Sequence, residues 1–280
     1  MRVAVIGLGA MGLPMARRLD GAGHAVTGWD LSADRRAAAQ GLALAEDAAR
    51  GAEAVLLSLP HDEAVLRAAE AILSAGPAPG ALVIDCSTVA PETPRRLAPR
   101  FAEAGLAWID APVSGGPAGA AAGTLTVMAG AAPGVLERAR PVLEAIAARV
   151  VHVGGPGAGA VAKLVNNLLV ASHLLAAAEA LRVGRLAGVD TAALLAAVNG
   201  ASGRSAATEI NFPRWIVSDA FESGFTAGLM RKDLRLAAAL AEAVGGAGSV
   251  SAAVLRAWAE SPVADGADFN RVAEAVWRDG

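Results

Sequence analysis

The run Gly154-Gly155-Pro156-Gly157-Ala158-Gly159 leads into Ala160-Val161-Ala162-Lys163-Leu164-Val165-Asn166-Asn167-Leu168-Leu169, and the apolar helical pattern continues to Leu186. Glycine and proline end whatever precedes this stretch, and the helix after it is too apolar to face water all round. Before it, short β-branched runs alternate with helical patterns; after it, only helical patterns remain. The chain therefore divides into residues 1–157 and 158–280, joined by a helix over 158–186. On that helix Lys163 and Asn167 are four apart and share a face. A helix lysine is ordinarily a solvated charge, and an asparagine at this spacing ordinarily bonds locally. Spacing alone leaves two readings open: a surface pair, or a pair presented to a substrate between the two parts.

At the start of the chain, the strand-like residues 2–6 run into Gly7-Leu8-Gly9-Ala10-Met11-Gly12 and a helical pattern through Met15, Ala16 and Leu19. Strand, glycine turn and helix follow in the order a dinucleotide site requires. Gly7 permits the tight turn, Gly9 lets the backbone approach a pyrophosphate, and Gly12 allows close packing of helix on strand. The helix N-terminus offers N–H groups and a partial positive charge to phosphates. The motif alone is weak, but Asp30 closes the next strand (25–29) eighteen residues after Gly12. A carboxylate there accepts hydrogen bonds from the adenosine ribose and repels a 2′-phosphate, which points to NAD over NADP. The plainer alternative for Asp30 is a helix cap. Arg35 and Arg36 either meet a 2′-phosphate or form a solvated helix face, so NADP stays as the lesser option.

Strands over 53–59, 81–85, 124–130 and 150–153 alternate with helices over 61–74, 91–104 and 133–147, the signature of a parallel, doubly wound sheet. Ligands of such sheets lie beyond the carboxyl ends of the strands. That places Leu59-Pro60 and Cys86-Ser87-Thr88 as cofactor contacts, although serine and threonine also serve as ordinary caps there. Ser114-Gly115-Gly116 presents unhindered backbone N–H groups that can cradle a carboxylate; otherwise it is a glycine-rich loop at a sheet edge. The second part reads as helices over 191–198, 206–210, 229–244, 249–260 and 268–277. Arg231-Lys232-Asp233 looks like a solvated first turn with its cap.

A chain of 280 residues can bury a sizeable core in two moderate domains. Its 54% hydrophobic fraction, inflated by alanine, with 4% aromatics suits closely packed helices. A net charge of −3 gives no basic footprint for nucleic acid or an acidic membrane surface. Cys86 is the only cysteine, so no internal disulfide forms and a reducing compartment is expected. His24, His61, His152 and His173 lack metal-ligand spacing, so no metal site is expected. The glycine motif begins too early to leave room for a signal peptide. Lys163, Asn166, Asn167, His173 and Glu179 interrupt the apolar run, which argues against a membrane span. A soluble, cytoplasmic protein is the expectation.

Four ordered stretches, residues 6–16, 110–130, 157–167 and Lys232-Asp233-Leu234, together resemble the β-hydroxyacid dehydrogenase family, whose namesake is 3-hydroxyisobutyrate dehydrogenase. The resemblance implies an α/β fold: an N-terminal Rossmann-type doubly wound parallel sheet plus an all-α C-terminal domain, joined by a long helix. It implies Lys163 as the catalytic lysine, Asn167 orienting the reacting oxygen, and Ser114, Gly115 and Gly116 holding the substrate carboxylate. Gly7, Leu8, Gly9, Ala10, Met11, Gly12, Asp30, Leu59, Pro60, Thr88 and Lys232 would contact the cofactor. Ala131 departs from the glycine common there in the family, outside the inferred site.

The implied reaction moves a hydride from the 3-hydroxyl carbon of a short carboxylate to NAD while Lys163 takes the hydroxyl proton. The implied assembly is a homodimer or homotetramer. A reductase of glyoxylate, succinic semialdehyde or tartronate semialdehyde would use the same residues. Imine reductases share the architecture without needing this lysine, and a non-catalytic nucleotide-binding scaffold would have no use for an amine there.

Overall fold

Alternation of apolar residues along short strands, buried on both sides, builds the first half of the chain. The computed structural model describes residues 1–278. It divides into two compact units, Met1–Lys163 and the residues from Leu164 on. The first unit runs β1 (Arg2–Ile6), α1 (Gly12–Gly21), β2 (Ala25–Trp29), α2 (Ala33–Ala38), β3 (Ala43–Leu44), β4 (Ala54–Leu57) and α3 (Asp62–Ala75). It continues with β5 (Leu82–Asp85), α4 (Glu92–Glu103), β6 (Ala107–Asp110), β7 (Val113–Ser114), α5 (Gly116–Ala122), β8 (Leu125–Gly130), α6 (Pro133–Ile146) and β9 (Ala147–Gly154). The strands form one sheet in the order β3-β2-β1-β4-β5-β6-β8-β7, with β9 on β8.

Period-2 patterning decides which face each residue meets. Val3, Val5, Leu56, Leu82 and Ile84 pack with Met15 and Leu19 of α1 and Leu136, Val142, Leu143 and Ile146 of α6. Their neighbours Ala4, Val55, Leu57 and Val83 turn to the other face, against Val65 and Ile72 of α3 and Leu97 and Phe101 of α4. Phe101 meets Trp108 edge-on at 4.9 Å between centroids, a geometry aromatic pairs favour. The register sets Trp29, Ile6, Leu57, Asp85 and Asp110 side by side along the carboxyl edge of the parallel strands. The strand order reverses at β1 and β4, which marks the crevice where such sheets take ligands.

The sheet is not parallel throughout. β6 and β7 both pair antiparallel with β8, because α5 and the turns around it bring the chain straight back instead of through a crossover. Of the two readings left open for Ser114-Gly115-Gly116, a plain glycine-rich loop does not hold: Val113–Ser114 is a strand and Gly116–Ala122 a helix, and Ala107–Asp110 before them is a strand that the sequence did not announce. Short runs of glycine and alanine carry too little periodicity to announce these elements. The two-residue β3 is too short to show any periodicity, whereas α2 carries Arg35 and Arg36 on the helix read there.

In the second unit α7 (Ala158–Leu186), which starts in the first, is followed by α8 (Thr191–Asn199), a π-helix (Ala207–Ile216), α9 (Ala227–Ala243), α10 (Ser249–Glu260) and α11 (Arg271–Arg278). By length and composition α7 could cross a membrane. Instead Ala171, Leu174, Ala178 and Leu181 lie in a core with Leu195, Phe212, Ile216, Met230, Leu234, Trp258, Val272 and Trp277. Trp258 donates its indole N–H to the Ala171 carbonyl at 3.3 Å. Asp190 and Thr226 cap α8 and α9 through side-chain oxygens, three residues before the N–H groups they accept. The expected helix over 206–210 is the start of the longer π-helix, which carries Pro213 inside it.

Candidate active site

The glycine loop lies at the end of β1, where the fold dictates two of its three glycines. Gly7 has φ +95°, and a Cβ on it would collide with the Ser58 carbonyl. A Cβ on Gly12 would collide with the Gly7 carbonyl, so α1 packs on the turn only because that side chain is missing. Gly9 differs: an added Cβ would meet only the Arg35 guanidinium, at 3.6 Å. The fold does not demand glycine there, whereas a pyrophosphate laid against the backbone does. No side chain caps α1, which leaves its N-terminal end to phosphate oxygens. The loop thus fits a dinucleotide by its own shape.

Asp30 follows β2 and is 7% exposed. Its Oδ2 accepts the Leu8 N–H at 2.8 Å, its Oδ1 accepts the Ser32 N–H at 2.8 Å, and Arg35 lies 3.4 Å from Oδ2. An ionised carboxylate has about four acceptor positions, so capacity remains for a ribose hydroxyl, more so once the exposed Arg35 gives way. Arg36 is tied elsewhere: it donates to the backbone carbonyls of Asp30 at 2.7 Å and Leu31 at 2.9 Å, and covers the Trp29 ring at 4.6 Å. Leu8 contributes through its backbone, since its side chain is in the core. Ala10 is exposed at the tip of the loop, beside half-buried Met11.

Beyond β4 and β5, the Ser87 hydroxyl accepts the Leu59 N–H at 2.9 Å, tying the two strand ends together. Ser87 N–H in turn donates to Asp85 Oδ1 at 2.9 Å. Pro60 is exposed and Thr88 half-buried on this edge. Burial pushes the Asp85 carboxyl up to about 7, against the lowering effect of its bonds from Ser87. Burial likewise pushes Asp110 up to about 6, opposed by backbone N–H donors.

Ser114 ends β7; Gly115 (φ +130°) and Gly116 (φ +64°) then turn the chain into α5 through conformations that favour glycine. Lys163 and Asn167 occur one turn apart on α7, at 9% and 4% exposure. In the second unit Asn167 Nδ2 donates to Asp233 Oδ2 at 2.6 Å, and Asn166 Nδ2 donates to Asn167 Oδ1 at 3.0 Å. Lys232 Nζ lies 2.9 Å from Asp233 Oδ1. The solvated reading of this turn is therefore corrected: Asp233 is 2% exposed, a buried carboxylate that joins Asn167 to Lys232. Sequence reasoning missed its role because a charge run at a helix start normally faces water. The one signal was its place in the Lys232-Asp233-Leu234 stretch.

Comparison with known proteins agrees with this geometry. Residues 2–154 match the family described as the NAD binding domain of 6-phosphogluconate dehydrogenase. Residues 157–276 match the family described as NAD-binding of NADP-dependent 3-hydroxyisobutyrate dehydrogenase. NAD-dependent L-serine dehydrogenase of Pseudomonas aeruginosa is 42% identical over 257 residues, covering 86% of each chain. 2-(Hydroxymethyl)glutarate dehydrogenase of Eubacterium barkeri is 40% identical, covering 85% of this chain and 81% of its own. The solved structure of Mycobacterium tuberculosis 3-hydroxyisobutyrate dehydrogenase with L-serine superposes with a TM-score of 0.90 at 36% identity, over 99% of both chains. With the glycine cradle, the strand-end acid and these likenesses in place, the chain belongs to the β-hydroxyacid dehydrogenase family of the 3-hydroxyisobutyrate dehydrogenase type, NAD-dependent oxidoreductases that act on CH–OH donors.

Proposed function

We propose that this enzyme oxidises the primary alcohol of a short 3-hydroxy acid bearing a substituent at carbon 2, with Lys163 as the proton acceptor. The names of the similar proteins support that substrate class. L-Serine, 2-(hydroxymethyl)glutarate and 3-hydroxyisobutyrate all carry a hydroxymethyl group beside a carboxylate, and differ in the third substituent. NAD supplies the hydride acceptor, with Gly7, Gly9 and Gly12 at its phosphates, Asp30 at its ribose, and Leu59, Pro60, Thr88 and Lys232 as further contacts. Ser114, Gly115 and Gly116 bind the substrate carboxylate through backbone N–H groups and the serine hydroxyl. Lys163 takes the hydroxyl proton as the C–H bond breaks, and in reverse returns it to the aldehyde oxygen. Asn167, its amide fixed by Asp233, directs the reacting oxygen.

The observation that carries this reading is the burial of Lys163, at 9% exposure one turn from Asn167, because a lysine is rarely buried without a partner or a task. Lys163→Ala should lower kcat by about 10²- to 10⁴-fold while NAD affinity is kept. Steady-state assays with serine, 3-hydroxyisobutyrate and 2-(hydroxymethyl)glutarate, each with NAD and with NADP, test substrate and cofactor together. Full turnover by Lys163→Ala overturns the role of the lysine.

In this reading residues 1–157 bind the dinucleotide, and residues 158–280 serve substrate binding and assembly. The enzyme is a cytoplasmic homo-oligomer, a dimer or tetramer. An outer stripe on α7, Val165, Leu169, Val183 and Leu186 at 49%, 50%, 68% and 61% exposure, supports assembly. Apolar side chains aligned in this way along one helix face favour a second protein surface.

A further inference from the structure

We infer that Asp110 is a positioning residue for the proposed proton transfer: its carboxylate clamps the first turn of α7 to the sheet and thereby sets where Lys163 stands. The inference rests on the assignment of Lys163 made above and adds a residue that touches neither substrate nor cofactor.

Asp110 ends β6 and is 1% exposed. Its Oδ1 accepts the Gly157 N–H at 2.8 Å, and its Oδ2 accepts the Ala160 N–H at 2.9 Å. Both N–H groups belong to the start of α7, where a helix has no partners of its own. A carboxylate there satisfies them and meets the positive end of the helix dipole. The caps of α8 and α9 are local, three residues from the groups they bind. The cap of α7 comes from 47 and 50 residues earlier in the chain, so it fixes the helix to the sheet as well as ending it.

Two glycines hold this clamp tight. A Cβ on Gly130, at the end of β8, would stand 2.6 Å from each Asp110 carboxylate oxygen and 2.7 Å from the Gly159 nitrogen. A Cβ on Gly159 would stand 2.7 Å from the Asp110 carbonyl oxygen and 2.9 Å from Oδ2, and would collide with the Met128 carbonyl. The backbones of β6, β8 and α7 therefore meet directly around one carboxylate, with no flexible side chain between them. Lys163 follows Gly159 and Ala160 by four and three residues, on the same face of the next turn. Any tilt or rotation of the clamped turn is passed on to the amine. Asp85, beside Asp110 in the sheet register, bonds Ser87 instead, so the clamp belongs to Asp110 alone of the two.

Asp110→Asn keeps the shape but leaves only one acceptor for two N–H groups. Gly130→Ala keeps the carboxylate but pushes it aside, and so reaches the same joint by a second route. Each is made in the wild-type background and in Lys163→Ala. Pre-steady-state hydride transfer to NAD is followed by absorbance, with NAD affinity measured alongside to report a folded nucleotide domain. In the wild-type background hydride transfer should slow by about 10- to 100-fold, the scale of a misplacement near 1 Å. In the Lys163→Ala background the same changes should alter the rate by less than about twofold, because residues that act as a unit are not additive.

Equal slowing in both backgrounds, or an unchanged rate in the wild-type background, overturns the positioning role. Full turnover by Lys163→Ala alone overturns the lysine assignment instead. A slow Lys163→Ala with additive effects overturns only the part given to Asp110.

Discussion

Asp85 and Asp110 end adjacent strands with carboxyl groups that water hardly reaches, yet their situations differ. Asp110 finds two backbone donors, whereas Asp85 Oδ2 has no hydrogen-bond partner among the described residues. Burial raises Asp85 from 3.8 to about 7. A raised acid binds its proton more tightly in the folded chain, so its stabilising contribution is complete below the unfolded value and is lost as pH rises through the folded one. Between pH 3.8 and about 7 the chain should lose stability with rising pH, by up to about 1.4 kcal/mol per pH unit from this group. Asp85→Asn, which mimics the neutral acid, should flatten that slope in urea titrations across the window. An unchanged slope would mean that Asp85 is ionised as readily folded as unfolded. At this scale the sequence was legible where spacing carries geometry, as with Lys163 and Asn167 on one helix face. It was not legible where burial depends on distant elements: Asp233 read as solvated, and Asp110 stood out only as the first residue of a stretch that carries the family resemblance.

Among the elements, the strand, glycine turn and α1 followed directly from residue types, because Gly7 and Gly12 are demanded by the turn itself. Gly12→Ala drives a Cβ into the Gly7 carbonyl. Overpacking of a closed joint costs about 1–3 kcal/mol, which should appear as a lower urea midpoint, with a marked loss of NAD affinity in a binding titration. Normal NAD affinity in that variant would place the pyrophosphate elsewhere. The segment from β6 to α5 resisted reading, since Gly116-Pro117-Ala118-Gly119-Ala120-Ala121-Ala122 favours helix, turn and loop almost equally and tertiary packing decides. The π-helix was read short because Pro213 normally marks the end of a helix.

For the whole molecule, the switch from alternating to all-helical pattern was visible at Gly154-Gly155-Pro156-Gly157, and the division of the chain into two compact units falls a few residues on, between Lys163 and Leu164. The proposed assembly was suggested in the sequence only by resemblance, because an outer apolar stripe cannot be told from an inner one before the fold is known. Leu169→Glu combined with Val183→Glu should shift the protein to a smaller species in light scattering after gel filtration, with the far-ultraviolet helix signal kept. An unchanged mass would exclude this face of α7 as the contact.

The core that encloses α7 is completed by Trp258, Val272 and Trp277, at the far end of the described chain. During synthesis, at about 5–20 residues per second, α7 leaves the ribosome several seconds before those side chains exist. Over that interval its apolar flanks lack part of their core, although Leu195, Phe212 and Met230 precede Trp258 in the chain. A chain that stops before Trp258 therefore leaves this helix with an incomplete apolar enclosure.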